Sequence, residues 1–370
     1  MENTLKKSDF VLTPYMKSND LRAIFQILNT VVPYGLLWVL AVKAAAVSLW
    51  LLPPIIVLIV LFSLRCFSLM HDCGHYSLFR SKRVNRVVGF MLGIINAIPQ
   101  YAWSRDHAYH HKTNGNWELY RGVADFLSTD EFSKLSPSEQ RSYEVLRNPL
   151  MAIPGGFYYL AIQPRLALIA GAYDFIGYLF TCLLKKPGMG LGKMIASHES
   201  KHWQSAAEFW DILFNNICVI GGCFLLGHWL GFGFFLSVYS IVLTLSATIF
   251  IWVFFVQHIF EGVYAHKTEG WDYIRGAVEG SSMLKLPALF NWFTADIGYH
   301  NIHHLSERIP NYNLKACHRE NAHLLSAVKT LRMTDMLDCA NYILWDPEVS
   351  SLVSVKAFRQ AARSRVYQTV

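Results

Sequence analysis

From Ile212 to Phe260 the chain runs for 49 residues without an Asp, Glu, Lys or Arg. A helix of a soluble domain keeps one polar face for water and has no use for such a stretch. Two bilayer crossings do need it, because each takes about 20 apolar residues to span a ~30 Å hydrocarbon core. The run reads as a hairpin over 212–257 with its turn at Gly231-Phe232-Gly233. A second hairpin is predicted over roughly 25–70, from LNTVVPYGLLWVLAV to LLPPIIVLIVLFSLRCFSLM, turning between Lys43 and Pro54. The fold expected is an all-α integral membrane protein with four transmembrane helices in two hairpins. Of 370 residues 53% are hydrophobic and 16% charged, which excludes a disordered chain, a collagen or a disulfide scaffold.

Charge placement gives orientation. Lys6, Lys7, Lys17 and Arg22 precede the first hairpin, and Arg80, Lys82, Arg83 and Arg86 follow it. Lys185, Lys186, Lys193 and Lys201 precede the second, and Lys267 and Arg275 follow it, while the opposite side offers only Lys43. Positive charge marks the cytoplasmic side, so both termini and the long polar segments are expected there. The expected organisation is a cytoplasmic N-terminal segment (1–24), a membrane part (25–320) and a cytoplasmic C-terminal segment (321–370). The net charge of +7 is thereby read as a membrane-surface feature, and nucleic acid is not an expected partner. The first 20 residues lack the apolar core of a cleaved signal. Seven cysteines without a CxxC pair read as buried thiols.

Nine of the fifteen histidines form a pattern. His71 and His75 make HxxxH where the second apolar helix ends. His107, His110 and His111 make HxxHH, and His300, His303 and His304 repeat it. His258 stands at the exit of the last apolar helix. The spacing i, i+3, i+4 brings imidazoles to one helical face, one turn apart, where two of them can grip one ion. Chance would supply only ~0.02 copies of HxxHH at this histidine frequency. His198, His202, His228, His266, His318 and His323 fall outside the pattern and are read as structural.

Eight or nine neutral imidazoles exceed what one first-row ion takes, so two ions are implied. Cys73 is the only thiol near a box, which disfavours sulfur-rich copper or an iron–sulfur cluster. Zinc sites rarely collect so many histidines, whereas two irons with open positions suit oxygen chemistry. Asp72, Asp106, Glu261 and Asp296 lie close enough in sequence to accept from the outer imidazole nitrogens. A shared centre also requires the first and third boxes to lie on one face of the membrane. The crossings between them must then be even in number, and 212–257 supplies two. The shorter apolar stretch 87–99 is therefore expected to be re-entrant or interfacial. The same holds for 166–184, unless 149–164 pairs with it. The expected result is interfacial helices beneath a cytoplasmic, histidine-rich cap.

These residues resemble the membrane fatty acid desaturases of the acyl-lipid type. The resemblance is carried by HDCGHYSLF (71–79), WSRDHAYHHKTNGNWE (103–118), VQHIFEG (256–262) and DIGYHNIHHLSERIPNYNL (296–314). It implies a diiron centre at the cytoplasmic face that inserts a double bond into a fatty acyl chain using O₂ and two external electrons. IPNYNL shortly after the third box is most similar to omega-6 enzymes acting on an already unsaturated acyl chain near carbon 12. Acyl-CoA desaturases of the family place an Asn one turn before the late histidine. Here that position is Phe254, leaving Gln257 or Glu261 to complete that ion's ligands. The same centre could hydroxylate, epoxidise or ketolate, and the boxes alone do not separate these outcomes. A membrane b-type cytochrome would need facing histidine pairs within its helices, and the boxes sit at helix ends. A metal transporter would place ionisable residues at mid-bilayer, and 212–257 has none. The HPGG signature of a fused cytochrome b₅ is absent, so ferredoxin or cytochrome b₅ is expected as a separate, acidic electron donor.

Overall fold

Both hairpins are present, and their ends follow from local chemistry. The computed structural model describes residues 5–120, 125–186 and 188–368, with side chains as far as Ala361. The outermost residues of the two terminal segments lie outside the described residues. Helix α1 (Asp20–Val47) opens at Asn19, whose side chain accepts from the Arg22 amide. It closes at Ser48, within the window expected for the turn. Helix α2 (Leu52–Gly74) begins with prolines in its first turn, where a missing N–H costs nothing.

The next pair, α3 (Lys82–Ile95) and α4 (Gln100–Thr113), meets at a bend of 103°. Its turn reaches well into the helix bundle. Ser63 of α2, about two turns below His71, donates to the Asn96 side chain (3.0 Å). Helix α4 then runs back until His107 meets His71, so 82–113 doubles back as the even-crossing requirement demands. Irregular backbone at such depth needs protein partners in place of water. It has three: Tyr239 donates to the Ile95 carbonyl (3.3 Å), Arg165 to Ala97 (2.8 Å) and Asn215 to Ile98 (2.9 Å).

The stretches read separately as 149–164 and 166–184 form one long apolar helix, α5 (Pro149–Lys185), with a π-helical turn at Tyr158–Ile162. The second hairpin follows as α6 (Ala206–Leu230) and α7 (Phe232–His258), joined at Gly231 with φ +87°, a conformation that glycine adopts freely. Among the described residues, five helices are thus long and apolar enough to cross a membrane: the four of the two hairpins and α5. Helix α5 touches α7 where Thr248 donates to the Ala152 carbonyl (3.2 Å), and α6 where Asn216 donates to that of Pro164 (3.2 Å). Further along, Asp174 pairs with His202 just before α6 (3.1 Å).

The cap contains the short helices α8 (Ala288–Phe293) and α9 (His300–Leu305), and α10 (Asn311–Glu320). Phe10 and Leu12 of the N-terminal segment bury against Ile302, Leu305 and Leu314. Strand β1 (Leu127–Ser128) pairs in parallel with β4 (Leu344–Asp346), which pairs antiparallel with β5 (Ser351–Val353). Strand β2 (Met283–Lys285) pairs in parallel with β3 (Thr330–Arg332). These short ladders tie the segment after residue 320 to the rest of the cap. The apolar span of α2 contains a fully buried charge. Arg65 of α2 donates to Thr30 (3.0 Å) and to the Trp292 carbonyl, with its guanidinium 3.9 Å above the Trp292 ring. It pins α8 and the start of the third box to the first hairpin.

The Ala97 carbonyl and the partly buried Arg165 make a charge-assisted pair. Arg165→Met should destabilise the protein by about 1–3 kcal/mol, read as a lower midpoint of heat aggregation in detergent. Lys201→Met, on an exposed loop, should leave that midpoint unchanged.

Candidate metal centre

The three boxes and His258 converge because four helix ends meet. His71 sits in the last turn of α2 and His75 caps it, α4 carries the second box, α7 ends at His258, and α9 is the third box. Two glycines permit close approach here, Gly74 to α4 and Gly93 to the turn that precedes it. A Cβ on Gly74 would lie 2.5 Å from the Ser104 hydroxyl, and one on Gly93 2.5 Å from the Ile98 carbonyl.

The nine imidazoles divide into two groups, with ligand atoms within 4.8 Å of one another in each. The first holds His71, His75, His107, His111 and His303; the second holds His110, His258, His300 and His304. The HxxHH spacing explains the interleaving. In each copy the i and i+4 residues share a group, and the i+3 residue faces the other. The groups adjoin, with the His111 and His304 rings stacked at 4.3 Å.

Nε2 atoms approach at 2.8 Å (His71–His107), 3.0 Å (His107–His111), 2.9 Å (His258–His300) and 3.1 Å (His300–His304). Two nitrogens bound at ~2.1 Å to one ion at right angles lie ~3 Å apart, so these spacings fit a shared ion. The outer nitrogens point the same way. His71 Nδ1 faces Asp72 (3.3 Å), His75 Nδ1 faces Glu307 (3.3 Å) and His258 Nδ1 faces the Gly280 carbonyl (3.2 Å). A proton on each Nδ1 leaves a bare Nε2 lone pair aimed inward. His75 Nε2 and both nitrogens of His110 and His303 are buried without any partner. Burial, followed by the repulsion of neighbouring imidazoles, pushes His300, His303 and His304 well below the ordinary histidine value, so they stand neutral. Buried neutral imidazoles with converging lone pairs are a cation site.

The fatty acid desaturase family model matches residues 48–334, which contain every box. The chain belongs to the fatty acid desaturase family. A fatty acid desaturase of Bacillus subtilis (strain 168) is 32% identical over 343 residues, covering 91% of this chain and 87% of that protein. An sn-1 acyl-lipid omega-3 desaturase (ferredoxin) of Nostoc sp. (strain 36) is 27% identical, covering 80% of this chain and 74% of the other. A chloroplastic omega-6 fatty acid desaturase of Arabidopsis thaliana is 25% identical over 81% of this chain and 59% of its own length.

The carboxylates of this desaturase are placed differently from one another. Asp72 accepts from His71 and, through its other oxygen, from the backbone and side-chain amides of Asn311 (both 2.8 Å). Asp106 does not reach an imidazole: its side chain is exposed and paired with Arg105 (2.6 Å), because i−1 of the first box histidine points off the shared face. Glu261 lies beyond the end of α7, where the chain has left the helix, and pairs with Lys329 at the surface (3.8 Å). Asp296 is half-buried beside Lys315 and Arg65, and burial pushes its carboxyl upward. Gln257 is buried and donates to the Ile297 carbonyl (2.8 Å). Phe254 packs between the groups, its ring 6.1 Å from His71, 5.8 Å from His107 and 5.6 Å from His300.

Sequence reasoning missed Glu307 and Asn311. Glu307, held below the usual carboxylate range chiefly by its hydrogen bond with His75, lies 232 positions from its partner, and no spacing rule connects them. Asn311 lies in the IPNYNL stretch, whose position after the third box was the available signal. The histidines read as structural stay out of both groups: His202 pairs with Asp174, His198 packs on Phe175 and Tyr178, and His318 on Tyr299.

Partners of metal-binding histidines are worth roughly 10–100-fold in metal affinity. Asn311→Ala and Glu307→Gln should each weaken metal retention by about that factor in a chelator titration. Asp106→Asn and Glu261→Gln should retain metal as the parent does.

Proposed function

We propose that this desaturase inserts a double bond into the fatty acyl chain of a membrane lipid at a histidine-held pair of irons. The resemblance points to an omega-6, Δ12-like position. The observation that supports this reading best is the pairing of two adjoining imidazole groups with an apolar cavity. The cavity has a volume of about 1260 Å³ and is lined by His107, His110 and His258 together with Trp103, Tyr159 and Phe254. The proposed ligands are His71, His75, His107, His111 and His303 for one ion, and His110, His258, His300 and His304 for the other. When bound, the two irons supply the activation of O₂ that removes hydrogen from an unactivated methylene, a chemistry no side chain provides.

The overall change balances as –CH₂–CH₂– plus O₂, two electrons and two protons giving –CH=CH– plus two waters. The protein's own contribution is positional. Asp72, Glu307 and the Gly280 carbonyl hold imidazole tautomers and ring directions. The aromatic wall of the cavity excludes water and holds the chain so that few C–H bonds face the histidines.

For topology, the reading keeps termini and histidines on the cytoplasmic side. Helix α5 then enters and leaves the same face, as its partners Thr248, Asn216 and His202 suggest by standing on the histidine side of the second hairpin's middle. The two electrons come from a separate donor, ferredoxin or cytochrome b₅, docking on the basic cytoplasmic face.

Expression in a host of known lipid composition, followed by fatty acid analysis with double-bond localisation, tests the reaction and its position. The parent should carry close to two irons per chain. His258→Ala should lose metal and product together, while His228→Ala, exposed at the opposite turn, should lose neither. Stoichiometric zinc in an active preparation, or a haem absorption band, would overturn the iron assignment.

Turnover at limiting donor should fall as ionic strength rises, because screening shortens the reach of the basic face. Salt-insensitive turnover under those conditions would remove electrostatic docking.

A further inference from the structure

A second, much smaller cavity shares part of its wall with the large one and is lined by Leu64, Ser68, His71, Asp72, Val253 and Ala295 among others. Three side chains line both cavities: Phe67, Phe250 and Phe254. They form a continuous aromatic partition. Phe67 and Phe250 stack at 4.0 Å with their planes 5° apart, and Phe254 meets Phe67 edge-on at 6.2 Å. Trp103 braces Phe67 from the large-cavity side at 5.3 Å. The space beyond measures about 10 Å³, room for no more than a water, against about 1260 Å³ in front.

We propose that Phe67, Phe250 and Phe254 are the terminal stop for the acyl chain and thereby decide which methylene faces the histidines. This rests on the desaturase reading above. The lining of the large cavity includes the polar side chains of Lys112, Asn148, Gln163 and Gln204, and the three phenylalanines wall it off from the small cavity. A lipid acyl chain has one polar and one methyl end, so its methyl end meets the phenylalanines and its polar end stays with the polar side chains. The partition stands at a fixed distance from His107, His110 and His258. The carbon presented to them is then counted from the methyl end. Phe254 touches histidines of both groups, so it couples the stop to the metal site. Phe250 touches none of them and can be altered with less disturbance of the ligands.

The test supplies graded series of saturated and of monounsaturated acyl chain lengths to a host expressing the parent, Phe250→Ala, Phe250→Leu or Phe250→Trp. Chain-length profile, double-bond position and metal content are measured for each. One methylene in an apolar pocket is worth roughly 10-fold or more in discrimination. Phe250→Ala, and more weakly Phe250→Leu, should therefore raise the ratio of longer to shorter chains converted by about 10-fold or more. They should also move the double bond of a given chain toward its carboxyl end. Phe250→Trp should shift the ratio the opposite way. Phe67→Ala, which removes the stacking partner, should repeat the Phe250→Ala result. An unchanged ratio and position in variants that keep their metal would overturn the stop and assign the register to the polar end of the lipid. If the alanine variant loses its metal, the smaller Leu and Trp changes decide the question in the same way. A parent that forms no double bond at all would instead remove the desaturase reading itself.

Discussion

Burying nine imidazoles at one point carries a desolvation demand that the rest of the structure is arranged to meet. Lone pairs facing one another without water are costly, and a proton gained by one ring would repel protonation of its neighbours. A cation between them turns that demand into binding energy. The requirement explains why every contributing helix ends where it does. The first hairpin delivers His71 and His75 at its exit, the second delivers His258, and the sharply bent pair α3–α4 returns the second box to the same level. The chain reaches the site from four directions, and three of the outer nitrogens, those of His71, His75 and His258, are held by a carboxylate (Asp72), a partly exposed carboxylate (Glu307) and a backbone carbonyl (Gly280).

The same economy of polar groups operates deeper in the bundle. A chain that reverses inside an apolar layer exposes carbonyls that only protein can satisfy. Tyr239, Arg165 and Asn215 answer the carbonyls at Ile95, Ala97 and Ile98, each from a different helix. The turn is therefore fixed by the second hairpin and by α5, and so is the placement of α4. Arg65 performs a similar task on the other side, joining α2 to α8 just before the third box. These buried charges have backbone or hydroxyl partners, which is how an arginine is tolerated within an apolar span.

The IPNYNL stretch acquires a physical role in this arrangement. Asn311 holds Asp72 behind His71, and its side chain also accepts from Gln26 of α1 (2.7 Å). The Tyr312 hydroxyl accepts from the Asn19 amide (2.7 Å) and donates to the Leu78 carbonyl (3.2 Å), while Asn313 donates to the Tyr15 carbonyl (2.8 Å). Three consecutive side chains thus strap the N-terminal segment and the first box to the cap. In this molecule the stretch aligns the histidine cluster. Aromatic residues of α2, α4, α5 and α7 line the large cavity beside the histidines.

What the sequence determined by itself was set by periodicity and by exclusion of charge. An uncharged run of 49 residues can be little else than two membrane-length helices. A repeated i, i+3, i+4 histidine pattern puts its rings on one helical face whatever the surroundings. Even the doubling-back of 82–113 was legible, because rings that share a site cannot stand on opposite sides of a bilayer. Tertiary structure alone decided the division of the histidines into groups of five and four, since the group that His110 or His303 joins depends on the neighbouring helix. It also decided that Asp72 and Glu307, but not Asp106 and Glu261, stand behind imidazoles. Proximity in sequence to a box does not aim a carboxylate. Glu307 and His75 are brought together by packing of the cap onto the first hairpin, a contact between distant segments that no local pattern encodes.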